Sequence, residues 1–334
     1  MNNPILNITI PVFNRFELTQ LTILSLNKMK RNIPFSITVV DNGSEKILRD
    51  ELLDLKKNNL IQNLFLLDKN YGVSCACNIG FMAMDTPFYM KCDNDIVIKD
   101  PEFINKIFYM YKIVEPMSIL GPALLHHWIE NSTKIIYTKY GKLAECKTNV
   151  PGGALFIPRQ IINILGYFCE DYDLYGADDG DYGIRMGLAG FNQYYYEYES
   201  FFDHRGKWDS SEYNDFGLDK AKQYNELFKT PDGKIGIFTL NSFLYANLVR
   251  SWKVPLKYEI AEQDGYYLKL KERDDYKKIR YALHRSQKIL THYFVDRETP
   301  KTLSNILLPP KIIEKLKKIW IECDQECTID NLIN

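Results

Sequence analysis

Short apolar runs alternate with amphipathic stretches through the first half of this chain. Ile8 to Val12 reads as a buried strand, and Glu17 to Met29, apolar at Leu18, Leu21, Leu24 and Leu26, as a helix packed on a sheet. Ser36 to Val40 is a second strand, closed by Asp41-Asn42-Gly43-Ser44. Ile47 to Leu55 predicts a helix, Leu64 to Leu67 a third strand, Ser74 to Met84 a helix, and Phe88 to Cys92 a strand that runs into Asp93. Strands alternating with helices imply a mostly parallel sheet with helices on both faces. Ligands of such sheets bind beyond the carboxyl ends of the strands, and Asp41 and Asp93 both fall there.

From about residue 118 the pattern becomes irregular and richer in short strands, including Ile135 to Tyr140 and Gly152 to Ile157. Beyond Asp215 it turns mainly helical, at Leu218 to Phe228, Thr239 to Trp252, Asp274 to Phe294 and Pro310 to Cys323. The turn Thr230-Pro231-Asp232-Gly233 supports a boundary near 215–235. The expected organisation is an α/β domain over 1–215, regular at about 5–115 and irregular at about 116–215, followed by a helical region over 216–334.

Composition is that of a folded globular protein, 46% hydrophobic and 25% charged, with a net charge of −1 that excludes a wholly electrostatic nucleic-acid binder. Residues 250–318 are locally basic, with seventeen Lys or Arg against nine Asp or Glu. Such a face suits anionic lipid, nucleic acid or an anionic acceptor, or is a solvated helical surface. Seven scattered cysteines read as reduced thiols in a cytosolic compartment, and Cys323-x-x-x-Cys327 lacks zinc-spaced partners. No secretory signal or membrane-length apolar run is visible, so the expected location is cytoplasmic, with peripheral contact at the inner face of the membrane through the basic region as an option.

The most informative chemistry is Asp93-Asn94-Asp95 at a strand end. Two carboxylates flanking one residue can offer hard oxygen ligands to a divalent cation that also binds substrate phosphates. Around it stand Pro11-Val12-Phe13-Asn14-Arg15, Asp41-Asn42-Gly43-Ser44, Asn70-Tyr71-Gly72, Asn78-x-Gly80, Gly152-Gly153-Ala154, and Asp178-Asp179-Gly180-Asp181 with Arg185. This order resembles family 2 of the nucleotide-sugar glycosyltransferases, over roughly residues 5–210.

The resemblance implies a GT-A fold: an α/β, Rossmann-like, mostly parallel sheet flanked by helices, here with a mainly helical C-terminal extension. It implies an inverting, metal-dependent hexosyltransferase that uses a UDP-sugar with Mn²⁺ or Mg²⁺. Pro11, Asn14, Arg15 and Asp41 would hold the nucleoside, with Asn70, Gly72, Asn78, Asp93 and Asn94 on the donor side. Asp41 is also good turn chemistry. Asp93 and Asp95 would carry the metal, and His204, in Phe202-Asp203-His204-Arg205-Gly206, would complete its shell. Asp179 would be the base that takes the acceptor proton. Asp178 stands where relatives have Glu, which leaves open which of the two acts. Relatives often carry Arg where this chain has Cys77, so Lys69 or Arg15 would supply that contact. Gly152-Gly153 fits either a close backbone approach or a β-bulge, and Tyr194, Tyr195, Tyr196 and Tyr198 either stack a sugar or are buried on a strand.

The acceptor stays open between a bacterial surface glycan or lipid-linked precursor, a protein, and a modified nucleic-acid base. A catalytically inactive nucleotide-binding scaffold is the alternative outside the enzyme class, and retention of Asp179 speaks against it. Nucleotidyl transfer would need a Gly-rich basic loop after the first strand, which Val12-Phe13-Asn14-Arg15 lacks.

Overall fold

The computed structural model describes residues 3–207, 211–295, 297 and 307–323. The first half follows the predicted alternation: β1 (Leu6–Val12), α1 (Phe16–Asn27), β2 (Phe35–Asp41), α2 (Lys46–Lys57), β3 (Asn63–Leu67), α3 (Val73–Met82) and β4 (Phe88–Cys92). Next come β5 (Ile96–Ile98), α4 (Phe103–Tyr111), β6 (Ile119–Ala123), α5 (His126–Glu130), β7 (Ile135–Thr138), β8 (Gly141–Glu145), β9 (Ala154–Pro158), α6 (Arg159–Leu165), α7 (Asp178–Leu188), β10 (Gln193–Glu197) and β11 (Phe202–His204). After a 3₁₀ turn at Ser211–Phe216 follow α8 (Lys220–Phe228), α9 (Ile237–Ala246), β12 (Tyr258–Asp264), β13 (Tyr267–Glu272), α10 (Tyr276–Tyr293) and α11 (Pro310–Glu322).

Eleven strands form one sheet in the order β12-β13-β3-β2-β1-β4-β9-β6-β10-β8-β7. Its centre, β13-β3-β2-β1-β4, is parallel throughout, and antiparallel pairings flank it. Strands such as β1 and β2 are buried on both faces, which is why they read as apolar runs without polar alternation. One face packs Ile23 and Leu26 of α1, Leu48 and Leu52 of α2, and Ile104 and Ile107 of α4. The other packs Cys77 and Phe81 of α3, Ile161 and Leu165 of α6, and Tyr182 and Met186 of α7. Each such aliphatic side chain contributes about 1.5–3 kcal/mol on full burial. The carboxyl ends of β1, β2 and β4 therefore open at one edge, where the loops carrying Phe13, Asn42 and Asp93 meet.

The C-terminal region is helical as expected at α8 to α11, with one difference. Residues 258–272 form a hairpin whose inner strand adds to the sheet, Tyr267 and Leu268 pairing with Leu66 and Leu67. Only Leu268 and Leu270 are buried there, against α3. The rest of the hairpin is exposed or half-buried, so its two-residue periodicity is faint. Five of the basic residues of this region pair with its own carboxylates, in Lys269–Glu262, Lys271–Glu259, Arg273–Asp275, Lys277–Asp274 and Arg280–Glu272, and the net basic surplus stands. No helix among the described residues is long and apolar enough to cross a membrane. Cys75, Cys77, Cys92, Cys146 and Cys169 are buried free thiols, Cys323 is buried, and Cys327 lies outside the described residues.

Candidate active site

A cavity of about 430 Å³ lies at the carboxyl edge of the sheet. Pro11, Arg15, Asn70, Asp93, Asn94, Asp95, Asp179 and His204 line it, so the structure gathers these sequence-predicted residues into one space. Asn14, Asp41, Gly72 and Asn78 are not on its wall. Each is held by local bonds that explain its type. Asn14 and Arg15 both adopt left-handed backbone (φ 55° and 60°), a costly conformation for Arg that concentrates at functional loops. The Asn14 amide donates to Ser44 Oγ, and its side-chain oxygen accepts from the Glu45 N–H, which locks the first loop onto the second. Asp41 is fully buried; its carboxylate accepts from the Ser44 N–H and lies 3.0 Å from Arg49 Nε. Burial raises its pKa, against the Ser44 bonds and Arg49. Asn78 clasps the chain after α6, donating to Phe168 O and Glu170 and accepting from the Phe168 N–H. Gly72 has φ 95°, and a Cβ there would meet Asp173 O at 1.9 Å.

The Asp93-x-Asp95 segment is paired with cations of the chain itself. Lys91 Nζ sits 2.9 Å from Asp93 Oδ1 and 3.2 Å from Asp178 Oδ2. Lys91 points out of β4 into the acidic cluster and is almost fully buried. Burial works against its charge, but Asp178 and Asp93 outweigh burial and hold the ammonium protonated well above its ordinary range. Lys91 also explains Gly152, where a Cβ would come within 2.5 Å of Nζ. The requirement there is an internal close approach rather than a bulge. Lys91 lies in the electrostatic field of Cys77, where relatives often have Arg. Of the two cations named as substitutes, Arg15 lines the cavity, whereas Lys69 is exposed over the Tyr71 ring.

Arg15 Nη2 donates to Asp95 Oδ2 (2.8 Å) and to Asn94 Oδ1 (2.6 Å), and Asn94 in turn donates to Thr19. β11 pairs antiparallel with β5, with His204 opposite Ile96, and the Arg205 N–H donates to the Asp95 carbonyl. This small sheet sets His204 Nε2 3.6 Å from Asp95 Oδ1. That oxygen is buried and makes no hydrogen bond. Gly206 clears the space beside it, since a Cβ there would lie 2.1 Å from Asp95 Oδ2. An unsatisfied carboxylate oxygen facing an imidazole nitrogen fits a hard divalent cation. No group of three protein ligands is preassembled among the described residues. A cation there would draw further ligands from Asp93, water or substrate oxygens.

Asp178 and Asp179 open α7, where negative charge is favoured by the helix dipole. Asp179 accepts from the Gly152 N–H (3.0 Å) and the Gly180 N–H (2.7 Å), which fixes it at the cavity wall. Burial and then the Asp178 charge raise its pKa to about 6, with Lys91 and the two amides opposing. A carboxylate poised there is matched to proton abstraction near neutral pH. Asp178 is buried against Lys91 and is the less accessible of the two. Behind them, Asp181 and Arg185 form the expected i,i+4 pair, fully buried at 2.6 Å.

The remaining wall was not legible as site. Trp128 comes from α5, Tyr175 from the loop before α7, and Tyr213, Lys220 and Tyr224 from the segment after residue 210. Tyr194, Tyr195 and Tyr196 are strand core, with the Tyr196 hydroxyl donating to Ala154 O, and Tyr198 is half-buried; none faces the cavity.

Residues 7–112 match the family described as Glycosyl transferase family 2. The chain is 22% identical over 236 residues to a chondroitin synthase of Pasteurella multocida (strain Pm70), covering 55% of this chain and 23% of that protein. It is 20% identical over 225 residues to a chondroitin synthase of Escherichia coli, covering 55% and 32%. The chain thus spans a third or less of the length of these relatives. Its fold is shared with GalNAc-T7, solved with UDP, GalNAc and Mn²⁺, at a TM-score of 0.53 and 13% identity, over 97% of this chain and 55% of that one. The family match thus covers the strands that carry Asp41 and Asp93, and the sheet around them has the fold of the GT-A glycosyltransferases.

Proposed function

We propose that this protein transfers a sugar from a UDP-sugar to a hydroxyl of a saccharide acceptor, with inversion at the anomeric carbon. The observation that carries the reading is Asp179. It is a carboxylate fixed by two backbone amides, raised to about 6, and it shares one cavity with Asp93 and Asp95. Asp179 takes the acceptor proton as its oxygen bonds to the anomeric carbon. The bond from that carbon to the diphosphate breaks on the opposite face, and the electron pair leaves with the phosphate oxygen.

Arg15 stands beside the acidic segment at the end of β1 and suits the departing diphosphate. Asp95, His204 and Asp93 are the residues that would hold Mn²⁺ or Mg²⁺, and that cation would supply further charge neutralisation for the leaving group. Asp41 and Asn14, behind the wall, hold the first two loops in place for the nucleoside. Trp128, Tyr175 and Tyr224 offer aromatic faces suited to sugar rings. A glycan acceptor also agrees with the names of the curated relatives.

The test is a donor-hydrolysis screen with UDP- and GDP-sugars, with and without Mn²⁺, followed by transfer to oligosaccharide acceptors and assignment of product anomeric configuration by NMR. A UDP-sugar consumed in the wild type but not in Asp179→Asn supports the reading. Product with retained configuration, or hydrolysis unchanged in Asp179→Asn, overturns it.

A further inference from the structure

The segment after residue 210 places in the cavity a cation that the functional reading leaves without a task. Lys220 is the first residue of α8, whose N-terminus is capped by Asp219 accepting from the Lys222 N–H. Its ammonium lies between two tyrosine rings, 3.5 Å from the centroid of Tyr213 and 4.1 Å from that of Tyr175. The guanidinium of Arg15 lies over the same Tyr213 ring, 4.6 Å from its centroid. Tyr213 is buried, and the neighbouring Phe216 meets Phe13 of the first loop at 6.3 Å. One tyrosine therefore carries a cation from each end of the fold. Cation–π contact offsets part of the cost of holding each charge out of water.

No ion pair involves Lys220 among the described residues, although Asp93 and Asp95 act on it at longer range. Arg15, by contrast, is already bonded to Asp95 and Asn94. Burial and the nearby Arg15 charge bring the Lys220 pKa down to about 8. An unpaired, half-buried cation held beside a like charge is a standing cost unless an anion fills the gap.

We propose that Lys220, presented by α8 and steadied by Tyr213 and Tyr175, contacts the diphosphate of the nucleotide sugar, so that the region outside the family match completes the donor site. This rests on the functional reading above, because it requires a nucleoside diphosphate in the cavity. Lys220 is here a binding and positioning residue, supplying a charge-assisted hydrogen bond to a phosphate oxygen.

The experiment is calorimetry with UDP, UMP and uridine on the wild type, Lys220→Met, Lys220→Gln and Lys220→Arg, with melting temperature as the check on folding. UDP affinity falls about 10- to 100-fold in Lys220→Met and Lys220→Gln, the size of one lost charge-assisted bond. Uridine affinity stays unchanged, and Lys220→Arg recovers most of the loss. The salt dependence of UDP binding also becomes shallower in the two neutral variants. UDP affinity at the wild-type level in a folded Lys220→Met overturns this proposal alone. An equal loss for uridine also overturns it, because the effect is then structural. A wild type that binds neither UDP nor GDP overturns the functional reading, and this proposal with it.

Discussion

Asp179→Asn separates the catalytic demand on this site from its stability. The folded-state pKa of Asp179 is raised to about 6 from an unfolded value of 3.8. A raised carboxylate binds a proton in the folded state that the unfolded chain has already released. Stability therefore falls as pH rises from about 4 to about 6, and the full cost is present above that window. Two pH units correspond to about 3 kcal/mol. The amide removes this cost but cannot accept from both the Gly152 and the Gly180 N–H, and one lost bond returns about 0.5–1.5 kcal/mol. The expected net gain at pH 8 is about 1.5–2.5 kcal/mol, a rise in Tm of about 2–4 °C for a chain of 334 residues. At pH 4.5 most of the gain disappears, because wild-type Asp179 is then protonated. Turnover falls by about 10²–10⁴-fold with donor affinity retained, and the acid limb of the wild-type kcat/KM profile lies near 6. Scanning calorimetry at the two pH values, beside a transfer assay, reads all of this. If Asp179→Asn is destabilised equally at both pH values, Asp179 is not held against its charge and the assignment of the base loses its physical ground.

Lys91→Met leaves Asp93 and Asp178 without the ammonium 2.9 and 3.2 Å away. At 3.2 Å and an effective dielectric of about 20 the lost attraction is about 5 kcal/mol, so urea unfolding at pH 7 is expected to show a deficit of about 3–5 kcal/mol. Arg250→Met strands Asp171, now paired at 2.5 Å and buried, and costs a similar 3–5 kcal/mol in the same assay; a loss under about 1 kcal/mol would mean that water enters this pair. UDP binding weakens by about tenfold or more, ~1.4 kcal/mol, when EDTA replaces Mn²⁺. Asp95→Asn removes that difference, whereas equal wild-type affinity in both buffers speaks against a cation at Asp95 and His204.

The parallel centre of the sheet was legible because strands buried on both faces must be apolar along their whole length, as in Leu6–Val12 and Phe35–Asp41. The ends of those strands were legible for the same reason, and Asp93-x-Asp95 with them. Some of the side chains singled out by motif spend their polar atoms locally. Asp41 and Asn78 look like ligand contacts in sequence, yet their partners are Ser44 and Arg49, and Phe168 and Glu170. Lys91 carried a signal that sequence reading did not use, since a lysine inside an apolar strand requires a buried anion. The hairpin at Tyr258–Glu272 was missed because only Leu268 and Leu270 turn inward on it. Tyr213, Lys220 and Tyr224 had no signal, because only tertiary folding returns α8 to the mouth of the sheet.

That return ties the C-terminal region to the chemistry. The loop between α6 and α7 carries Asp171 at one point and leads into Asp178 and Asp179. Asp171 pairs with Arg250 and accepts from Tyr276 of α10 and Asn241 of α9. Burial favours its neutral form, but these partners outweigh burial and bring its pKa down to about 2. Asp181, one turn into α7, holds Arg185, which donates to the carbonyls of Leu165, Tyr167 and Trp252. Buried ion pairs contribute little net stability against apolar replacements, but breaking one is costly, so they specify a single arrangement. Here that arrangement fixes the start of α7, and with it the position of Asp179, against helices outside the family match. A fragment ending near residue 215 would keep the residues that match the family and lose the groups that aim its base.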